Sequence, residues 1–555
     1  MEPELRFLDS APANCKEKLV DLYKRFNFSE SEYECFQFNQ GELTLARLPA
    51  FETYLQKEKE KRVPKKQQLL RTARPFGGEN LKRRPLQVSP VAKRRETEVK
   101  EGPPVAKSHQ ISVKNSINTG KLEKRQLSRT ANVKLLGQHF WVGERQAAYS
   151  WMDEAISERM IRRDERLQEW EAPVTAALQR KAQEATVGTV GVPCQSETIL
   201  CGRIACEGLE GQLNEHSMLL EGSTLAGGAK VQLNMGNCKM AAFPGQIVGV
   251  VGRSGMTGST FHAWEFLSGL PHPLEPLSPS SSLHALVLAG PFSEKEKLDF
   301  SALDSALADA ALVRPEVLIL LGPFLDCNNS KVQAGETHLP GSEDPCSFEE
   351  VYTQTLLPIL EKRLAPLRRG NPPTEVLIVP SLDEVLCFHP LPQPPMDAVL
   401  GPWLETDILE LQRMGVRFLP NPAHLEINGV KVSLTSADAL SPMLRELVVQ
   451  GDKVQEALRL LLHQRCLFPM VPREPAQVCE ARAQALDFPA APHLCIFPSL
   501  CGSMSATSVD GTLFLNPGPL CEAAGPGTFA ELWVAEGQGS LKERMRVDFK
   551  KIEKS

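Results

Sequence analysis

None of the 14 cysteines in this 555-residue chain stands in a C-x-x-C pair. Zinc fingers and ribbons need such couples, because two thiolates must reach one ion from a single turn. The nearest couples, Cys201/Cys206 and Cys495/Cys501, are too widely spaced for that. The cysteines therefore read as reduced, half-buried small hydrophobes. No apolar run reaches the length of a membrane span, and "MEPELRFLDS" lacks a hydrophobic signal core; an intracellular protein is expected. No G-x-S-x-G elbow and no dinucleotide fingerprint after a strand occur. "VGRSGMTGST" (251–260) has the glycines of a phosphate loop, but no Lys follows the last of them and both flanks read as strand. It is expected to be a hairpin turn.

What is present is length, proline and an uneven charge. A chain of 555 residues with 43 prolines is too long for one core, so several domains joined by loops are expected. The net charge is −6, but Lys61 to Lys134 holds 20 Lys/Arg against 5 Glu and no Asp. An acidic body with one basic stretch excludes a nucleic-acid groove running the length of the chain.

The organisation is multidomain, α and β. Residues 1–57 read as a small helical interaction module: Leu19, Leu22 and Phe26 share one face, and Ser29 or Ser31 offers a cap. Residues 58–139 lose periodicity and read as a disordered basic linker, with clusters such as "VAKRRE" suited to nuclear import. Ser89, before Pro90, is a candidate phosphorylation site there. Residues 140–184 read as a helical lead-in whose buried stripe is Tyr149, Met152, Ile156 and Met160. From 185 to 283, "SETILCGRIACE", "GQLNEHSMLLEG", "AKVQLNM", "GQIVGVVGRSG" and "STFHAWEFLSG" alternate as short strands, the pattern of a small oligonucleotide-binding (OB) type barrel. Few aromatic and basic residues accompany them, which favours protein contacts over base stacking.

Residues 284–555 turn α/β. "LHALVLAGPF", "EVLILLGPFLD", "TEVLIVPSLDEV", "HLCIFPSLCG" and "GTLFLNPGPL" are near-continuous apolar strands separated by helical stretches, which predicts a covered, largely parallel sheet. Such folds keep ligands at the strands' carboxyl ends. A two-metal hydrolase would gather Asp, His and Asn side chains there. The ends instead read Ala289-Gly290-Pro291, Gly322-Pro323-Phe324, Pro380-Ser381-Leu382, Pro498-Ser499 and Asn516-Pro517-Gly518. Asp326 and Asp383 are the nearest carboxylates, while His389, His424 and His463 share no ligand spacing. No catalytic, cofactor-binding or metal-binding residue is assigned, and no cofactor.

This series of segments resembles the B-subunit family of replicative DNA polymerases, and its alpha branch in particular. "CGRIACEGLEGQLNEHSMLLEGS" (201–223), "AAFPGQIVGVVGRSGMTG" (241–258), "LILLGPFLD" (318–326), "IVPSLDEV" (378–385), "FLNPGPL" (514–520) and "PGTFAELWV" (526–534, similar to the family's closing strand) carry the likeness in order. The resemblance implies a carboxy-terminal domain like a calcineurin-type phosphoesterase that has lost its ligands. Where active relatives have Asp-x-His, this chain has Ala289-Gly290-Pro291. Where they have Gly-Asp-x-x-Asp, it has Gly322-Pro323-Phe324-Leu325-Asp326, with Pro323 at the bridging carboxylate. Where they have Gly-Asn-His, it has Val379-Pro380-Ser381, and their final Gly-His-x-His has no counterpart.

The resemblance further implies a nuclear, non-catalytic accessory subunit of the DNA polymerase alpha–primase complex. Its partner would be the zinc-bearing carboxy-terminal domain of the catalytic subunit, with primase subunits and DNA reached through the complex. The competing readings are a small subunit of polymerase delta or epsilon, a single-strand DNA binder acting through the barrel, and an active phosphodiesterase using Asp326, Asp383 and a distant histidine.

Overall fold

The computed structural model describes residues 110–118, 129–137, 154–207, 213–236, 238–339, 342, 344–387, 389–471, 478–501, 504–523 and 525–553. The helical module expected over 1–57, and Ser89, lie outside them.

Two edge strands come first, β1 (Gln110–Ile117) and β2 (Val133–Leu135). They overturn part of the expectation of a linker over 58–139. In "QISVKNSI" the apolar residues are few, and the edge position leaves Val113 exposed while Ile111 packs on one core and Ile117 on another. A half-solvated strand of this kind carries too little apolar signal to stand out from a basic background.

Helix α1 (Ile156–Gln179) follows. Its buried residues are Leu167, Trp170, Val174 and Leu178, one face at helical spacing. The stripe expected upstream is not core: Ile156 is 81% and Met160 62% exposed, and Tyr149 and Met152 lie outside the described residues. The early apolar residues of α1 face solvent, while Leu167, Trp170 and Val174 pack against Cys201 and Ile247 of the barrel.

The barrel comprises β3 (Thr186–Val187), β4 (Thr198–Cys206), β5 (Met218–Glu221), β6 (Lys230–Asn234), β8 (Ile247–Ser254) and β9 (Thr260–Leu267), with β7 (Ala241–Ala242) in the connection from β6 to β8 and outside the barrel sheet. Order β3-β4-β5-β6-β9-β8, with β4 also paired to β8, closes the sheet on itself. Each predicted barrel segment supplies one of its longer strands. Val231 and Leu233 on β6 point inward while Lys230, Gln232 and Asn234 face out, the period-2 pattern that made the strand legible. Residues 255–259 join antiparallel β8 and β9, so "VGRSGMTGST" is a hairpin turn as expected.

After the barrel come β10 (Leu283–Ala289), α2 (Ser301–Val313), β11 (Val317–Leu321), α3 (Leu357–Arg368), β12 (Glu375–Val379), α4 (Met396–Arg413), β13 (Val416–Phe418), β14 (Ala423–Ile427), β15 (Val430–Leu434), α5 (Leu440–Glu446), β16 (Val448–Val449), α6 (Lys453–His463), β17 (Leu494–Ile496), β18 (Ser505–Val509), β19 (Thr512–Asn516), the short pair β20 (Cys521–Glu522) and β21 (Gly525–Pro526), β22 (Thr528–Val534) and β23 (Met545–Glu553). One seven-stranded sheet runs β1-β23-β22-β10-β11-β12-β13, and a six-stranded sheet runs β18-β19-β17-β15-β14-β2. The apolar strands expected in a single sheet thus divide between two. "PGTFAELWV" is also not the closing strand: β23 follows it and lies between it and β1.

The sheets pack face to face. Ala285, Val287 and Ala289 of β10 meet Leu425, Val432, Leu434 and Ile496 of the second sheet in one cluster. Leu286 and Leu288 of β10 point the other way, onto α2, α3 and α4. Helices α5 and α6 cover the outer face of the second sheet. Strands buried on both faces read as unbroken apolar runs, which is why these were legible while their division into two sheets was not.

Candidate functional site

The carboxyl ends of β10, β11 and β12 converge, and their backbones fill the space between them. A Cβ added at Gly290 would lie 2.3 Å from the Pro323 carbonyl oxygen, and one at Gly322 would lie 3.1 Å from the Ser381 Cβ. The Gly290–Pro291 and Gly322–Pro323 peptide bonds are cis. At Gly290 a Cβ would collide with the Pro323 backbone, while at Gly322 it would be a tight contact that Ser381 would have to yield to.

Behind them, neutral groups satisfy one another. Asn421 Nδ2 donates to Gln393 Oε1 at 2.8 Å and to Ser436 Oγ at 2.9 Å, and Asn421 Oδ1 accepts from Thr435 Oγ1 at 2.8 Å. Gln393 Nε2 donates to the Ser381 carbonyl at 3.0 Å. Asn516 holds the next turn, donating to the Ser499 carbonyl at 3.0 Å and accepting from Gly518 N–H at 3.0 Å. Buried amides and hydroxyls arranged in this way serve the fold, since each would cost free energy if left unpaired. Sequence reasoning named Ser381, Ser499 and Asn516 as strand ends but missed Asn421 and Gln393. The Asn421-Pro422 punctuation before β14 was the available signal.

Asp326 and Asp383 do come near each other, on the loops after β11 and β12. Burial raises the Asp326 pKa, Asn328 opposes that through its hydrogen bonds, and Asp383 adds to the rise. The adjacent Glu384 turns inward. It accepts from Phe324 N–H at 2.6 Å, from Leu325 N–H at 3.0 Å and from the Tyr352 hydroxyl. Burial pushes its carboxyl up to about 7 against those hydrogen bonds. The histidines lie elsewhere: His389 Nδ1 is 3.7 Å from Cys387 Sγ, His424 bonds Ser433 Oγ at 2.9 Å, and His463 bonds Ser268 Oγ at 2.8 Å. Among the described residues, no group of three or more His, Cys, Asp or Glu side chains converges as a metal site would require.

The second built region is the seam between barrel and sandwich. Gln464, just after α6, accepts from Ile247 N–H at 3.0 Å and donates to the Ile247 carbonyl at 2.8 Å. Strands β7 and β16 pair across the seam. Phe243, one residue beyond β7, is fully buried in the cluster beneath α5 and α6. A phenylalanine buried in this way contributes roughly 2–3 kcal/mol. Helix α1 spans both bodies. Arg163 bonds Glu480 at 2.9 Å, and Arg166 bonds both oxygens of Asp487 at 2.7 and 2.6 Å. Burial alone would lower the Arg166 pKa, but Asp487 outweighs it and raises it. These long-range pairs had no signal in the sequence.

Comparison with known proteins matches residues 164–269 to the family described as the OB domain of the DNA polymerase alpha B subunit. Residues 285–505 match the family described as the DNA polymerase alpha/epsilon B subunit. Among curated relatives, the DNA polymerase alpha B subunit of Bos taurus is 31% identical over 320 residues, covering 56% of this chain and 49% of the relative. That of Schizosaccharomyces pombe is 30% identical over 374 residues, covering 61% and 60%. That of Rattus norvegicus is 28% identical over 355 residues, covering 62% and 55%. The matches thus span about half to three-fifths of those relatives' length.

Proposed function

Since this chain belongs to the B-subunit family of DNA polymerases alpha and epsilon, we propose that it is a non-catalytic accessory subunit of the DNA polymerase alpha–primase complex, acting in the nucleus. On this reading the sandwich is a phosphoesterase-type scaffold without its metal ligands. Barrel and sandwich together grip the zinc-bearing carboxy-terminal domain of the catalytic subunit and support initiation of RNA–DNA primers.

The observation that carries the reading is the closed strand edge. Gly290 lies so close to Pro323 that a Cβ there would clash with its backbone, where an enzyme of this architecture would need ligating side chains around an open cleft. The bonded seam favours a scaffold, because a binding surface spread over two bodies holds its shape only if those bodies do not slide.

A tagged full chain, used to capture proteins from nuclear extract, tests it. Recovery of the polymerase alpha catalytic subunit with both primase chains is the expected result. Recovery of polymerase delta or epsilon instead would move the protein to another pathway. Tightly bound manganese or iron, with turnover of a phosphodiester, would overturn the non-catalytic reading.

A further inference from the structure

Residues 268–282 join the barrel to the sandwich. They form neither helix nor strand and carry four prolines, at 271, 273, 276 and 279. A stretch so poor in N–H donors is fastened by its carbonyls. Arg465 holds that of Leu270, Gly537 N–H holds that of Pro279 at 2.8 Å, and Arg544 holds those of Ser278, at 3.0 Å, and Ser281. An arginine keeps its proton in a protein and a backbone N–H does not titrate, so these ties are indifferent to pH. The Glu275 carbonyl, midway along, is held differently: its partner at 2.8 Å is Nε2 of His493, which stands just before β17.

The other ring nitrogen of His493 faces a donor. Nδ1 accepts from the Lys431 N–H of β15 at 3.0 Å, and the His493 N–H donates back to the Lys431 carbonyl at 2.9 Å. The ring is buried. These contacts admit one state, with Nδ1 bare, Nε2 carrying the proton and the imidazole neutral. A second proton, on Nδ1, would point at the Lys431 N–H and end that bond. Among the described residues, the charged groups acting on the ring are Glu275 of the connector, Lys431 of β15 and Arg544 before β23. Burial lowers the His493 pKa; Glu275 opposes this through its carbonyl and its carboxylate, and Lys431 and Arg544 add to the drop. The Glu275 carboxylate is itself paired with Lys431 Nζ at 2.8 Å. His272 and His463 also lie along the connector, but differ in kind. His272 Nε2 meets the Phe488 carbonyl at 3.0 Å, and His463 Nδ1 meets the Ser268 hydroxyl at 2.8 Å. Both contacts survive in an imidazolium, which donates from both nitrogens.

We propose that His493 is an acid-sensitive clasp: neutral, it fastens the middle of the connector to the second sheet, and protonated it lets that stretch go. The imidazolium has to leave the buried site, because its Nδ1–H would face the Lys431 N–H and its charge would lie near Lys431 and Arg544. With the ring gone, the Glu275 carbonyl loses its donor. The contribution of the clasp is therefore full above about 6.5, the ordinary histidine value, and falls as pH drops below it. Gln464 and the β7–β16 pair do not titrate, so the opening is confined to the connector while the barrel stays docked. The clasp needs no partner and stands apart from the accessory-subunit reading.

Hydrogen exchange of the full chain tests it, read residue by residue from pH 7.5 to 5.5 and corrected for the intrinsic effect of pH. Protection of the Lys431 amide is expected to fall below pH 6.5 by up to about tenfold per pH unit, the slope for one proton taken up on opening. Protection of the Ile247 amide, held by Gln464, is expected not to fall. Clipping between Leu274 and Ser278, by a protease active at both pH values, is expected to rise over the same range. In His493→Gln, whose amide accepts and donates but takes no proton, both readouts should be independent of pH. A flat Lys431 response in the wild type overturns the proposal. So does a fall shared equally by Ile247, which would be a general loosening in acid. A fall of wild-type size in His493→Gln assigns the titration to another group and also overturns it. Opening at Lys431 without added clipping means that the ring moves and the connector stays, which defeats the clasp as well. Should His493→Gln not fold, the comparison of Lys431, Ile247 and clipping in the wild type decides alone.

Discussion

Gln464 stands in for a missing strand neighbour of Ile247: its side-chain amide accepts from the Ile247 N–H at 3.0 Å and donates to the Ile247 carbonyl at 2.8 Å. One side chain from the sandwich thereby completes the first residue of a barrel strand. It also donates to the Ser268 carbonyl at 2.8 Å, where the chain leaves the barrel.

Replacing Gln464 by Leu keeps the volume and strips the Ile247 N–H and carbonyl of this partner, while the Ser268 carbonyl keeps Gln246 Nε2 at 3.2 Å. Each unpaired group costs about 1–3 kcal/mol, so a loss of about 3 kcal/mol or more is expected. Urea unfolding followed by barrel and sandwich probes separately checks it. The wild type should show coincident transitions, and the variant should show the barrel melting first. Coincident, unshifted curves for the variant would refute the role assigned to this glutamine.

Glu384 makes stability depend on pH. Its carboxyl rises from 4.5 in the unfolded chain to about 7 in the fold. The native state therefore binds more protons between those values, and stability falls as pH rises from about 4.5 through 7, then levels. The full effect is ~3 kcal/mol. Tyr352, Asp326 and Cys387 are the titratable groups facing it, and Tyr352 and Cys387 stay neutral across this window because burial raises both. Glu384→Gln should flatten this part of the profile, read as urea midpoints from pH 5 to 8. A variant whose slope matches the wild type's would show that Glu384 does not titrate there.

Strand β1 pairs with β23 from Gln110↔Glu553 to Ile117↔Val547. A chain beginning at Thr119 should be less stable than one beginning at Gln110 by about 1–3 kcal/mol, the worth of burying Ile111 and Ile117 in part. It should also aggregate faster, because β23 becomes an open edge. Light scattering and thermal midpoints of the two chains would decide, and equal values would mean that β1 is dispensable.

Legibility followed the physics of each element. β10, β11, β12, β17 and β19 were visible because burial on both faces leaves an apolar run with no polar interruption. The barrel strands were visible because one face is wet. For α1, two overlapping sets at helical spacing competed, Ile156 and Met160 against Leu167, Trp170, Val174 and Leu178, and only the position of the barrel decides between them. At the strand ends, proline and glycine could be read as the lack of ligands. That Gly290 touches Pro323 could not, because closeness between separate turns is a tertiary fact. Glu384 and Gln464 were invisible for the same reason: a polar residue's partners across the chain leave no periodic trace.

The placement of β1 and β2 has a mechanical consequence. Residues 110–135 lay one strand along the edge of each sheet, so a pull applied upstream of Gln110 is first borne by the β1–β23 ladder. Force along the chain would peel that ladder or shear it, depending on the angle of pull, before it reached the paired sheets behind. The same stretch that reads as a tether in the sequence is, at its downstream end, the cleat to which the tether is made fast.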